Sequence, residues 1–125
     1  MLTSDEEQQV KEVHASYMAA LGKGDFAGVA EQFTFPAVFK GFLDDVVIAT
    51  DAATLASTYE RLIAAAPHAA RTDVSSLDVG ILRPGVYSLT MTYEQFDASD
   101  TSIHAGSAVY LLKRTGDELK LFAVL

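Results

Sequence analysis

A change of hydrophobic period near residue 71 predicts an α+β domain in which three helices precede four long antiparallel strands, with two short strands between the second helix and the third. In the helical stretches apolar residues recur every three or four positions, whereas from Arg71 onward they alternate. Half of the 125 residues are apolar, enough for one core. With no linker, internal repeat or low-complexity stretch, residues 1–125 read as one domain.

Charge and composition narrow the function classes. Seventeen acidic residues against nine basic ones give a formal charge of -8, which repels nucleic-acid phosphates and anionic membrane surfaces. Neither nucleic acid nor membrane is expected as a partner. The chain has no cysteine, hence no disulfide and no thiolate chemistry. Its acidic start is unlike a basic leader and no apolar run reaches spanning length, so a cytoplasmic setting is expected.

The first helix is expected to begin at Ser4, with Glu7 completing a capping box and Asp5 and Glu6 at the positive end of the dipole. Val10, Val13, Tyr17, Met18 and Leu21 form its apolar stripe, with His14 on the margin, where its nitrogens are expected to stay wet. Gly22 and Gly24 end it, and Asp25 caps a short second helix with Phe26, Val29 and Phe33 inward. Pro36 blocks continuation beyond Phe35. Ala37 to Phe42 and Val46 to Ala49 read as short strands around Asp44 and Asp45. Thr50 or Asp51 caps a third helix with Leu55, Tyr59, Leu62, Ile63 and Ala66 on one stripe, ending at Pro67.

Four strands complete the chain. Leu77, Val79 and Ile81 alternate with polar neighbours, then Arg83-Pro-Gly85 turns. Tyr87, Leu89, Met91 and Tyr93 share one face of the next strand, Ile103 to Lys113 forms another, and Leu119 to Leu125 the last.

The run Tyr17-Met-Ala-Ala-Leu-Gly-Lys-Gly-Asp25, followed by Phe33, resembles the Tyr-x-Ala-Ala-Leu-x-x-Gly-Asp run of ketosteroid isomerases. Together with the element order it makes nearly the whole chain similar to the NTF2-like superfamily, which includes those isomerases, the SnoaL-like polyketide cyclases and limonene epoxide hydrolase. The resemblance implies a cystatin-like roll: a curved antiparallel sheet wrapped around three helices into a cone, with a pocket at the wide end. It specifies fold better than reaction, because one fold hosts many chemistries. Tyr17 matches the tyrosine that holds the dienolate oxygen in the isomerases. Their general-base aspartate would fall near Gly41 and their protonated aspartic acid near Ala108, and neither residue here carries a proton to move.

Other candidates have two readings each. His104 shares a strand face with Gly106, Ala108, Tyr110 and Leu112, and serves as a base if Tyr17 or Tyr93 orients it; otherwise it is a solvated residue at a strand start. Asp44 and Asp45 either replace the missing base or form a solvated turn. Tyr17, Phe33, Phe39, Tyr59, Tyr87, Tyr93 and Tyr110, with Met91, either line a pocket or fill a core. Small neighbours, Ala19, Ala20, Ala30, Gly106 and Ala108, favour a mostly apolar cavity. His14, His68 and His104 have no metal-ligand spacing, Gly22-Lys-Gly24 is no phosphate loop, and no cofactor is implied.

Three functions are compatible with this pattern: a binder of a small, largely apolar molecule; an isomerase, cyclase or hydratase using Tyr17 and His104; and a dimeric interaction module with a vestigial pocket. Ile103, Ala105, Ser107, Val109 and Leu111 lie opposite His104, and apolar residues occupy both faces of the last strand. A homodimer through the outer sheet face is therefore expected, unless the chain's own loops cover that face.

Overall fold

The computed structural model describes residues 1–41, 43–65 and 69–125. In chain order the elements are α1 (Ser4–Gly22), α2 (Phe26–Glu31), β1 (Phe33–Phe39), β2 (Val47–Ala49), α3 (Ala52–Ala65), β3 (Arg71–Arg83), β4 (Val86–Phe96), β5 (Ser102–Thr115) and β6 (Glu118–Val124). Phe42, Ala66, Pro67 and His68 lie outside the described residues, and with them the expected ends of one strand and of the third helix.

The first helix starts one residue earlier in its cap than expected. Thr3, not Ser4, is the N-cap: its hydroxyl accepts from Glu6 N–H at 3.1 Å, and the Glu6 carboxylate accepts from Thr3 N–H at 3.1 Å. Both registers offer a hydroxyl and a glutamate three residues apart. The tertiary contact separates them, because Glu6 also accepts the Tyr87 hydroxyl from β4, while Glu7 lies 3.7 Å from Lys11 on the outer surface. At the other end Gly24 adopts φ +70°, which glycine tolerates without strain, and Asp25 N–H returns to Ala20 C=O at 2.9 Å.

Asp25 caps α2 as expected, its carboxylate accepting from Gly28 N–H at 3.0 Å. That helix stops at Glu31, however, and β1 begins at Phe33, four residues before the expected strand. Phe33 is buried as expected, but from a strand. The β-rich composition of Phe33-Thr-Phe35 outweighs the short helix, which has too few turns to be stable without packing. Asp51 is the cap of α3, accepting from Thr54 N–H at 2.8 Å.

The sheet has the order β2-β1-β6-β5-β4-β3. Neighbours are antiparallel except β1 and β6, which run parallel, so the sheet is mixed and open. The four long strands pair antiparallel in sequence order, as their alternation requires. Cross-strand rows define the inner face: Val79, Leu89, Tyr110 and Val124 form one, and Ile81, Tyr87, Leu112 and Leu121 the next. These rows pack with Val10 and Tyr17 of α1, Val29 of α2, and Leu55 and Tyr59 of α3 in one core. Register shifts in the pairings of β3, β4, β5 and β6 bend the sheet around the helices.

Candidate functional site

Beyond the end of the core, the inner face of the sheet and the helices enclose a cavity of about 1040 Å³. Its floor is made of tyrosines. Tyr17 comes from α1, Tyr59 from α3 and Tyr110 from β5, each no more than 3% exposed. The Tyr17 and Tyr59 hydroxyls lie 2.8 Å apart, and the Tyr17 ring meets Tyr110 edge-on at a centroid distance of 5.4 Å. Phe39 packs edge-on against Tyr59 at 5.0 Å and also reaches the cavity. Burial drives the pKa of all three tyrosines upward, because a phenolate has no water to solvate it there. They are therefore neutral hydroxyls, able to donate and accept.

Met18 and Leu21 of α1, Leu62 of α3, Met91 of β4 and Ala108 of β5 form an apolar middle wall. At the mouth, the Tyr93 hydroxyl is 3.1 Å from His104 Nε2. Adjacent strands bring this pair together: Tyr93 faces Gly106 in the register, and Gln95 faces His104. The imidazole folds back over Gly106, so a Cβ there would lie 3.4 Å from Nε2 and 3.8 Å from the Tyr93 hydroxyl. Gln95 and Thr72 complete the polar rim, with Gln95 Nε2 donating to Thr72 Oγ1 at 3.4 Å.

Of the candidates read from the sequence, Tyr17, Phe39, Tyr59, Met91, Tyr93, His104 and Tyr110 all border this cavity. Phe33 and Tyr87 do not: the Phe33 ring lies behind Tyr17, at 6.0 Å edge-on, and both belong to the core. Asp44 and Asp45 are exposed in the bend before β2 and do not border the cavity. Tyr17 bonds Tyr59, leaving Tyr93 as the partner of His104.

His14 is a correction. Its ring is 4% exposed, packed 4.6 Å from the Tyr110 centroid, and its Nε2 has no hydrogen-bond partner among the described residues. The helix turns this position further inward than the margin of a stripe, and burial lowers the imidazole pKa.

Two rim residues were not foreseen. Strict alternation back from Leu77 would put Thr72 on the outer face, but a register shift between Val74 and Ser76 reverses the phase and pairs Thr72 with Gln95. Gln95 itself continues the phase of Met91 and Tyr93, so that alternation could have found it. Ile103 and Ser107, assigned by alternation to the outer face, also border the cavity; Ile103 is left without a register partner at the Gln95/Phe96 shift.

Gly41 and Ala108, where the similar isomerases would carry their acidic groups, both border the cavity. Gly41 has φ +47°, and a Cβ on it would lie 2.8 Å from Phe39 Cζ. This position is built for glycine, and an aspartate there would strain backbone and ring together. Among the described residues no group of three or more His, Asp or Glu stands close enough to hold a metal ion.

No protein-family model matches the chain, and no curated protein matches it by sequence. Solved structures do match in fold. An NTF2-like protein of unknown function from Pseudomonas putida KT2440 superposes with a TM-score of 0.80 over 99% of this chain and 87% of that one, at 10% identity. A cystatin-like protein of unknown function from Nostoc punctiforme gives 0.78 over 98% and 90%, at 14% identity. A protein from Catenulispora acidiphila, solved in complex with S-DNPA, gives 0.74 over 98% and 92%, at 16% identity. The chain has the NTF2-like, cystatin-like α+β fold.

Proposed function

We propose that this domain binds a small, neutral, largely apolar molecule in the cavity at the open end of its sheet. One observation carries the reading: among the described residues that border the cavity there is no Asp, Glu, Lys or Arg, in a chain of formal charge -8. Apolar walls with a few convergent hydroxyls are the usual chemistry of such sites. The Catenulispora acidiphila protein, which shares the fold, was solved in complex with S-DNPA.

The test is a titration with the neutral dye Nile red against an anionic anilinonaphthalene sulfonate. Saturable emission is expected with Nile red and lost when Ala108→Trp fills the middle wall. Equal binding of both dyes, unaffected by Ala108→Trp, would place the interaction elsewhere. For a ligand that accepts a hydrogen bond at the floor, Tyr17→Phe is expected to weaken binding by about 0.5 to 1.5 kcal/mol, measured by calorimetry. An unchanged affinity would remove Tyr17 from the site.

Steroid isomerase activity is expected to be absent. The floor supplies neutral hydroxyls for an oxyanion, but Gly41 and Ala108 supply neither base nor acid, groups each worth orders of magnitude in rate. A Δ5-3-ketosteroid incubated with the protein should form conjugated enone no faster than in buffer; saturable turnover would mean that His104 or another group acts as the base.

The outer sheet face supports a homodimer. The register puts Leu111, Ala123, Val38 and Ile48 in one outward row across four strands, in which Ile48 is 64% exposed, Leu111 and Val38 are half-buried and Ala123 is already buried within the monomer. Val109 lies on the same face, one row away on β5. Closed two-fold pairing is the commonest way to cover such a patch. Light scattering at micromolar concentration is expected to give a dimer mass, reduced to the monomer by Val109→Glu. A parent that is already monomeric would leave the patch without a second copy.

A further inference from the structure

The two polar stations of the cavity are carried at separate levels along β5. The floor station is the Tyr17–Tyr59 hydroxyl pair beside Tyr110, and the mouth station is the Tyr93–His104 pair folded over Gly106. Gly106 and Tyr110 lie on the same face of β5, four residues and therefore about 13 Å of extended strand apart. A carbonyl oxygen and the carbon next to it cannot meet both stations. Between them Met91, Ala108, Leu21 and Leu62 form an apolar wall, and among the described lining residues of that stretch only Ser107, next to Gly106 at the mouth end of β5, carries a hydroxyl.

Each station also has capacity left over. The three floor hydroxyls carry three protons, of which the Tyr17–Tyr59 bond and the Tyr17–Tyr110 interaction use two, and Tyr93 engages only Nε2 of the two nitrogens of His104. We propose that the ligand is a neutral, elongated molecule, two to three rings long, with an apolar middle and an oxygen function at each end: one oxygen bonds the tyrosine pair on the floor and the other bonds His104 at the mouth. This inference rests on the reading of the cavity as a neutral binding site and adds the spacing and number of its polar contacts.

A matched series separates the two claims. Trans-stilbene, its para-hydroxy derivative and its para,para′-dihydroxy derivative share one neutral, fluorescent frame and differ only in their terminal oxygens. All three are expected to bind, and each added hydroxyl to tighten binding roughly threefold to tenfold. The combined Tyr17→Phe and Tyr59→Phe change should cost the dihydroxy compound one such factor, His104→Leu another, and all three changes together the product of the two. Stilbene itself should be indifferent to them all. The monohydroxy compound can turn end for end, so it should tolerate loss of either station and respond only to loss of both. Equal binding of the three compounds, or floor and mouth losses that do not multiply, would overturn the two-ended ligand and leave a plain apolar cavity. If none of them binds, both the two-ended ligand and the neutral binding site are wrong. His104→Phe, which keeps the ring volume, repeats the mouth test should His104→Leu perturb folding.

Discussion

Leu89→Ala is expected to destabilise the fold by about 2 to 5 kcal/mol, read as a lower urea midpoint at an unchanged slope. Leu89 is fully buried at the centre of an inner row, paired with Val79 on one side and Tyr110 on the other. Truncation removes transfer energy and leaves a hole whose walls are held by three strands and by the helices above, so little collapse can offset it. Against the roughly 5 to 15 kcal/mol that a domain of this size has in total, the loss is a large share. Ala98→Ser, exposed in the turn after β4, is the control and should change stability by less than about 0.5 kcal/mol, as surface substitutions usually do. A loss below about 1 kcal/mol for Leu89→Ala would show that β4 does not face the core in this phase.

How much of this was legible in the sequence depends on whether the information was local. The three helices, the four long strands and the inward phase of Tyr87, Leu89 and Met91 follow from periodicity, which is a local property. The strand from Phe33 was missed because a helix pattern and a strand pattern overlap there, and only pairing with β6 decides between them. That pairing is parallel, and nothing in the residues of β1 announces a partner more than eighty positions away. Likewise the choice of Thr3 over Ser4 as cap depends on Tyr87 reaching Glu6 across the fold.

The site divides along the same line. Tyr17, Tyr59 and Tyr110 could be placed on inward faces one at a time, but their convergence on one floor depends on how α1 and α3 lie against the sheet. Tyr93 and His104 meet because their strands pair, with Gly106 leaving space for the ring. Thr72 needed a register shift that no residue in β3 signals, since neither Gly nor Pro stands at Ser75. The reading of His14 failed for a simpler reason: a polar residue at the edge of a stripe is normally solvated, and here the Tyr110 ring covers it.

That burial makes His14 an acid sensor of the fold. Its folded pKa lies below the ordinary imidazole value because the charged form would lose its hydration and find no partner for Nε2. The groups packed against it, Tyr17 and Tyr110, are neutral phenols with raised pKa values and offer no compensating charge. Above about pH 6.5 the imidazole is neutral folded and unfolded, so it gives stability no pH dependence there. As the pH falls below that value the unfolded chain takes up the proton first, and stability drops by up to about 1.4 kcal/mol per pH unit until the folded pKa is reached. Glu6 and Asp51, whose pKa values are lowered by their hydrogen bonds, add their own losses only in the carboxylate range below this window. Urea midpoints measured between about pH 7.5 and pH 5 should therefore fall for the parent and stay nearly flat for His14→Phe, which keeps the ring and removes the proton. Parallel slopes for the two proteins would mean that the acid response comes from the carboxylates and that His14 finds a partner when it is charged.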